Sequence, residues 1–488
     1  MFYTKSYLSS PFDSEMKNIL TKYHLIILLL CILHGNASSQ TSASQDTTAR
    51  YVAIDNVFIL GNKKTKKSII LRELVVKKGM LIYYPDLIKH IEADQNKLFN
   101  LRLFNSVKIN ILELSPSKVD IVVQVDERWY TFPIPILKFA DRNFNDWLKN
   151  QGADFSRINY GIKFTQYNVR GRNEKLRLTA QFGFTKNFAM SYRAPYIDKS
   201  QNNGLELKVG YRERKNTAYG TVDHKQIFYD SENTAFEETY GLIKYTRRSK
   251  FYDFHDFILE YNRSSVSDSI LIFNPSYFSN RLNKQSYVAL RYKYTKDKRD
   301  VVAYPLKGYR IQGEVNKIGL GISNDLNILE LRVTHDRYLD LGKNYYFSMY
   351  TKGVLSTPEN QSYTLFPSLG RQQDFVRGYE LYLIEGSSFG LNKISFKKLL
   401  FKGEKHVRPL VRQFKNFPYA LYLKTYIDIG YVKNFNQYEQ NNRLTNRLIR
   451  GTGLGLDFVT FYDFVIRTEY SINDDKEQGF FFHFKKGF

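Results

Sequence analysis

From residue 155 to the end of the chain, apolar and polar residues trade places at almost every second position. In 175–184, Leu176, Leu178, Ala180, Phe182 and Phe184 share one face while Arg177, Thr179 and Gln181 share the other. The stretch 205–212 sets Leu205, Leu207, Val209 and Tyr211 against Glu206, Lys208 and Arg212. In 309–316, Ile311 and Val315 alternate with Arg310, Gln312, Glu314 and Asn316. Period two means a strand with unlike faces. A soluble sandwich alternates too, but its polar face meets water and is rarely backed by so many aromatics, here 38 Tyr and 37 Phe among 488 residues. Apolar side chains outward to lipid and polar ones inward to a wet lumen account for both features. Eleven such runs precede a long irregular segment around residue 377, and five follow it, near 391–400, 420–432, 451–460, 462–471 and 479–488. The total of about sixteen is even, as single-chain bacterial barrels require. No stretch beyond the N-terminal region holds ~18 unbroken apolar residues, so no membrane helix is expected. The expected fold is an all-β transmembrane barrel of about 16 antiparallel strands over 155–488, preceded by one small α+β domain.

The N-terminus reads as an export signal. Lys17 and Lys22 after Met16 make a basic lead, 25–33 is apolar, and Ala37, Ser38 and Ser39 supply small residues for cleavage. Residues 1–39 are therefore assigned to a signal peptide starting at Met16, with 40–50 a flexible segment. The single cysteine, Cys31, follows Leu30 rather than a small residue and lies within the signal, leaving the mature chain without a thiol. The formal net charge of +24 invites a nucleic-acid reading. The basic residues alternate with aromatics and aliphatics instead of clustering, which suits a charged lumen and loops facing anionic lipid, so no nucleic-acid partner is expected.

Between 51 and 127 lies a different pattern. Residues 52–60 read as a strand stopped at Gly61-Asn62. Thr65 suits a helix cap before Ile69, Ile70 and Leu74, and Pro85 suits the start of a second helix carrying Leu87, Ile88, Ile91 and Leu98. Two alternating runs follow, with Val107, Ile109 and Ile111, then Val119, Ile121, Val123 and Val125. The order is β-α-α-β-β. With Gly61-Asn62-Lys-Lys-Thr65, Leu98-Phe-Asn-Leu-Arg-Leu-Phe104 and the run 119–127, this segment resembles a POTRA domain, a periplasmic polypeptide-transport module. A sheet edge in such a domain can accept an extended strand. Residues 128–154, with Trp129, Tyr130, Pro133 and Pro135, read as a stiff linker at the membrane surface.

Four motifs along the barrel extend the resemblance over the mature chain. The run Asp297-Lys-Arg299-Asp300-Val-Val-Ala-Tyr-Pro305-Leu-Lys-Gly308 resembles a periplasmic turn of the BamA/TamA superfamily of outer-membrane assembly barrels. Val376-Arg377-Gly378-Tyr379 resembles its loop signature. Tyr426-Ile-Asp428-Ile-Gly430 resembles a following strand, and Phe480, Phe482, Phe484 and Phe488 resemble a C-terminal insertion signal. The resemblance implies that Arg377 folds into the lumen and meets Asp428, with Tyr426 packed nearby. The alternation agrees, since Asp428 faces inward if Ile427 and Ile429 face lipid, and Gly451, Gly453 and Gly455 leave bare wall on the next strand. Relatives also carry a second acid just after the loop. Ile394-Ser-Phe-Lys-Lys398 holds no carboxylate, which leaves Asp428 as the one expected partner. Short connections, such as that at 185–187, are expected on the periplasmic side, and long ones, at 265–284 and 357–386, outside.

Other signals point to chemistry less well. Gly386-Ser387-Ser388-Phe389-Gly390 fits a hydrolase nucleophile pattern, but a strand follows where an elbow and helix are needed. Gly451-Thr-Gly-Leu-Gly455 precedes no helix that could cradle a phosphate, and the 8 His lack ligand spacing. No enzyme activity, cofactor or metal is expected. The resemblance implies an outer-membrane assembly or translocation factor of a Gram-negative bacterium. Its partners would be unfolded outer-membrane or secreted polypeptides, outer-membrane lipid including lipopolysaccharide, and periplasmic chaperones or accessory subunits. The alternatives are a passive pore and, more remotely, a secreted hydrolase using Ser388. A weakly paired seam between first and last strands would favour assembly, and a fully zipped one a pore.

Overall fold

The computed structural model describes residues 50–139, 154–279, 281–322, 326–359, 361–371, 374–406, 416–434, 441–460 and 464–485. The signal segment and Phe488 lie outside these residues, and Phe484 is described in its backbone alone.

The N-terminal module runs β1 (Tyr51–Leu60), α1 (Lys67–Glu73), β2 (Leu81–Tyr83), α2 (Tyr84–Asn100), β3 (Phe104–Ser115) and β4 (Lys118–Glu127). The three-residue strand β2 is an addition to the order read from sequence. The sheet order is β2-β1-β4-β3, with β1 parallel to β4. Alternation buries Val52 and Ile54 of β1 and Val119, Ile121 and Val123 of β4 against Ile69, Ile70, Leu87 and Leu98 of the helices. Pro85 stands in the first turn of α2, where its missing N–H costs nothing. Thr65 does not cap α1. The helix begins after Lys66 without a side-chain cap, and the Thr65 hydroxyl donates to Glu127 Oε1 (2.6 Å). A carboxylate across the module outcompetes the local cap.

The rest of the described chain forms one wall of 16 antiparallel strands. Its first members are β5 (Thr131–Phe139), β6 (Ile158–Tyr167), β7 (Lys175–Gly183), β8 (Thr185–Ala194) and β9 (Asn203–Arg214). The hairpin β10 (Asn216–Val222) and β11 (Lys225–Asp230) leaves the wall and pairs only with itself. The wall resumes with β12 (Phe236–Lys250), β13 (Asp253–Val266), helix α3 (Asp268–Phe273) in the following connection, then β14 (Lys284–Asp297), β15 (Gly308–Ile318), β16 (Ile328–Gly342) and β17 (Tyr345–Thr357). After the long loop, which carries the two-residue strands β18 (Ser368–Leu369) and β19 (Ile384–Glu385), come β20 (Ser388–His406), β21 (Asn416–Lys433), β22 (Leu448–Thr460), β23 (Val465–Asn473) and β24 (Gln478–Lys485). Eleven wall strands precede the loop and five follow it, the total of sixteen read from sequence, but one of the eleven is β5, which lies before residue 155.

Two readings are corrected. The wall begins at β5, inside the segment taken for a linker: Pro133 and Pro135 suggested a stiff joint, but they sit in a strand at the end of the sheet. The turn at 185–187 lies on the same end of the barrel as the long β13–β14 connection, opposite the module. Four wall strands, an even number, separate the two connections, so both fall at one end whether or not the hairpin at 216–230 is counted.

The wall is inside out relative to a soluble protein. Ile311 and Val315 are 40% and 42% exposed, whereas Glu314 and Asn316 beside them are buried at 9% and 2%. That is the burial expected of a lipid-facing surface around a polar lumen. Among the described residues no ladder joins β5 to β24, so the seam between first and last strands carries no backbone pairing.

Candidate functional site

The loop between β17 and β20 folds back into the barrel, and Arg377 is its anchor. Its Nε and Nη2 donate to the two oxygens of Asp428 at 2.8 and 2.5 Å, and its backbone N–H to Oδ2 at 3.1 Å. Nη2 also reaches Ser395 Oγ (3.1 Å), and the guanidinium lies 3.7 Å from the centroid of the Tyr426 ring. Asp428 is fully buried and Arg377 is 7% exposed. Paired, planar and desolvated, this contact uses the bidentate geometry that arginine alone offers.

A second carboxylate is present, though not where it was sought. Glu469 of β23 accepts from Arg377 Nη1 at 3.2 Å. The expectation of a single acid is therefore corrected: the missing charge after the loop is replaced from a strand three places further along the wall. Lys424 of β21 then bridges Glu469 (2.8 Å) and Asp457 of β22. Asp457 also accepts from the hydroxyl of Tyr304 at 2.9 Å.

Glycines on β22 make this assembly possible. Gly451, Gly453 and Gly455 stand in register with Asp428, Tyr426 and Lys424 on one side and with Asn473, Ser471 and Glu469 on the other. Over Gly453 the Tyr426 hydroxyl meets Ser471 Oγ at 2.6 Å, and over Gly455 Lys424 meets Glu469. A Cβ on Gly451 would lie 1.7 Å from the carbonyl oxygen of Arg377, and one on Gly430 2.6 Å from Val376. The wall is bared so that the loop backbone can touch it. Val376 packs with Leu369, Leu391, Val432 and Ile449, and Tyr379 is buried in the same cluster. Gly378 takes φ +93°, and its carbonyl accepts from Asn473 Nδ2 (2.9 Å).

The turn motif lies at the module end. Arg299 forms a bidentate pair with Asp297 (2.8 and 2.6 Å), Asp300 accepts from the Leu306 N–H (3.1 Å), Pro305 is buried, and Gly308 takes φ +96°. The turn also carries Tyr304, which the sequence reading passed over. Its ring is buried between Tyr422 (5.0 Å) and the Lys397 ammonium (4.5 Å). Asn100, the last residue of α2, donates to Asp300 O and accepts from Val302 N–H at 2.7 and 3.0 Å. A continuous line of polar contacts thus runs from the module through the turn, Tyr304, Asp457, Lys424 and Glu469 to Arg377. Phe480 and Phe482 point outward from β24, 74% and 66% exposed. Ser388 opens β20 with strand pairing to Leu355 and Lys433 and no helix behind it, so the elbow a nucleophile needs is not formed there.

At the far end the β10–β11 hairpin is tied across the barrel. His224 donates its N–H to Asn441 Oδ1 (2.8 Å), its carbonyl accepts from Leu383 of the loop (2.8 Å), and its Nε2 accepts from the Leu444 N–H (3.0 Å). Burial pushes the imidazole down to about 4, and Arg443 adds repulsion.

A sixteen-stranded wall with lipid-facing apolar residues, a loop locked inside it and a small α/β module at one mouth define an outer-membrane barrel with a periplasmic POTRA domain. The chain belongs to the Omp85 superfamily, whose domain model matches residues 168–488. A POTRA model, described as a surface antigen variable number repeat, matches 52–128. Among solved structures, BamA from Haemophilus ducreyi lacking POTRA domains 1–3 is similar at 13% identity and TM-score 0.48, over 89% of this chain and 84% of that one. CdiB from Acinetobacter baumannii is similar at 12% and 0.48, over 89% and 73%. CdiB from Escherichia coli is similar at 9% and 0.49, over 98% and 99%. No curated protein sequence matches the chain.

Proposed function

We propose that this chain receives unfolded polypeptide at its POTRA domain and delivers it into or across the outer membrane at the barrel seam. Family membership supports insertion or secretion of outer-membrane clients in general. The observation that carries the finer reading is the seam, where β5 and β24 share no ladder. In lipid an unpaired edge has no water to satisfy it, so an opening there is a standing invitation to a strand from another chain. The client's own folding and burial would drive the transfer. The Arg377–Asp428 pair would hold the loop against the wall next to that seam.

The test is depletion of the chain with rescue by wild type, Arg377→Ala or Asp428→Ala, reading the abundance of other barrels in the outer membrane and of secreted proteins. Wild type should restore them, and both variants should insert yet rescue poorly. Unchanged abundance on depletion, together with ion conductance of the purified barrel in planar bilayers, would turn the reading to a passive pore.

A further inference from the structure

The two free edges at the seam are chemically unlike. In an antiparallel ladder alternate residues turn both backbone groups to the same neighbour. The Tyr130 carbonyl accepts from the Tyr167 N–H at 2.7 Å, one step before the paired positions Thr131 and Gln166, so the even-numbered residues of β5 bond to β6. Thr131, Pro133, Pro135 and Leu137 therefore turn to the seam, and two of the four have no N–H to give. Proline in a sheet is confined to such free edges, and it blunts them. On β24 the Asn473 N–H donates to the Glu477 carbonyl (3.0 Å), so odd-numbered residues bond to β23. Gln478, Phe480, Phe482 and Phe484 turn to the seam, and all four carry an N–H.

We propose that Pro133 and Pro135 disable β5 as a hydrogen-bonding template and keep the seam unzipped, leaving the edge of β24 to dock an extended polypeptide strand. The docking half rests on the transport reading above; the unzipping half does not. The occupant is a strand with alternating apolar residues. Added to β24, it would continue the outward face made by Phe480 and Phe482, whose exposed rings already mark the lipid side. A closing strand from β5 would forfeit two consecutive donors, whereas an incoming strand free of proline would not.

Hydrogen exchange on the full-length protein in phosphatidylcholine nanodiscs tests the first half. Amides of 478, 480, 482 and 484 should exchange fast in wild type, while those of 479, 481 and 483, bonded to β23, stay protected. Pro133→Val/Pro135→Val, which restores two donors, should slow the even-numbered amides by about tenfold or more, as two added hydrogen bonds of ordinary strength would. Ile134→Val, facing β6, should change nothing. Each single proline variant should fall between, and heat-modifiable migration on gels checks that every variant is folded. Protection already present in wild type, or no slowing in the folded double variant, overturns the proposal. For the second half, a photo-crosslinker at position 478 or 480, or at 131 or 137, is offered a synthetic peptide of this chain's residues 477–488 as a model strand. Capture at 478 and 480 supports docking on β24, and capture at 131 and 137 overturns it. Slowed exchange without capture anywhere would reject strand docking and with it the transport reading, while the blunted edge stands.

Discussion

Arg377 shows what one residue can hold and how far it can be read in advance. Its partner Asp428 was legible because alternation decides which face a strand residue takes. Glu469 was not, because its role depends on Gly455 clearing the wall between two strands. Removing the guanidinium takes the bidentate partner from Asp428, leaving Lys393 at 3.9 Å, and leaves Glu469 to Lys424 and His483 at 2.8 and 3.3 Å. Arg377→Ala should destabilise the barrel by about 3–5 kcal/mol, the cost of orphaning a buried charge, and Arg377→Lys should recover only part because a lysine cannot fork. Urea unfolding in detergent, followed by tryptophan fluorescence, measures both. His224 supplies the pH counterpart. Its folded pKa lies below the ordinary 6.5, so the unfolded hairpin binds the extra proton. The contribution is whole above about 6.5 and is lost as pH falls toward about 4. Protonating Nε2 also removes the acceptor for the Leu444 N–H. Amides at 441–446 should therefore exchange faster at pH 5 than at pH 7 after correction for intrinsic rates. His224→Gln should flatten that difference.

At the scale of elements, the wall was legible and its beginning was not. Ten of the sixteen strands follow residue 155 before the loop, and their alternation is plain. β5 carries two prolines, which in sequence speak for a break, and only the free edge of a sheet tolerates them. The hairpin β10–β11 alternates like its neighbours, so nothing local says that it leaves the wall. The turn between β14 and β15 was recognised by its motif, yet its most consequential side chain was overlooked, because a tyrosine in a turn is ordinarily an interface anchor. Tyr304 instead reaches inward to Asp457. Tyr304→Phe keeps the ring between Tyr422 and Lys397 and deletes one hydrogen bond to a carboxylate, a loss of about 1.5–3 kcal/mol. Thermal unfolding should reveal that loss in the wild-type background and a smaller one, about 0.5–1.5 kcal/mol, in an Asp457→Asn background, where the amide oxygen still accepts but carries no charge.

For the whole molecule, the open question in the sequence was how the POTRA domain and the barrel meet, since no motif spells an interface between segments so far apart. The answer lies in Glu73 at the end of α1. Its carboxylate takes a bidentate pair from Arg248 near the end of β12 at 2.7 and 2.8 Å, while Arg72 stacks 4.5 Å from the ring centroid of Tyr196 in the β8–β9 turn. Thr65 joins the same surface by accepting from Asn168 Nδ2 (2.9 Å), and Asn100 grips the β14–β15 turn. Burial works to raise the Glu73 carboxyl, but Arg248 and Arg72 beside it hold it below the ordinary range. The pair therefore stabilises docking at every pH above about 4.5 and fails only on stronger acidification. Glu73→Gln should free the module without unfolding it, because the carboxylate contributes to the interface rather than to the core formed by Ile69 and Ile70. Spin labels on the exposed residues Lys77 and Lys343 should report one narrow distance distribution in wild type and a broad one in Glu73→Gln. Glu73→Arg/Arg248→Glu should narrow it again. A distribution that stays narrow in Glu73→Gln would mean that Thr65 and Asn100 hold the domain in place without the ion pair.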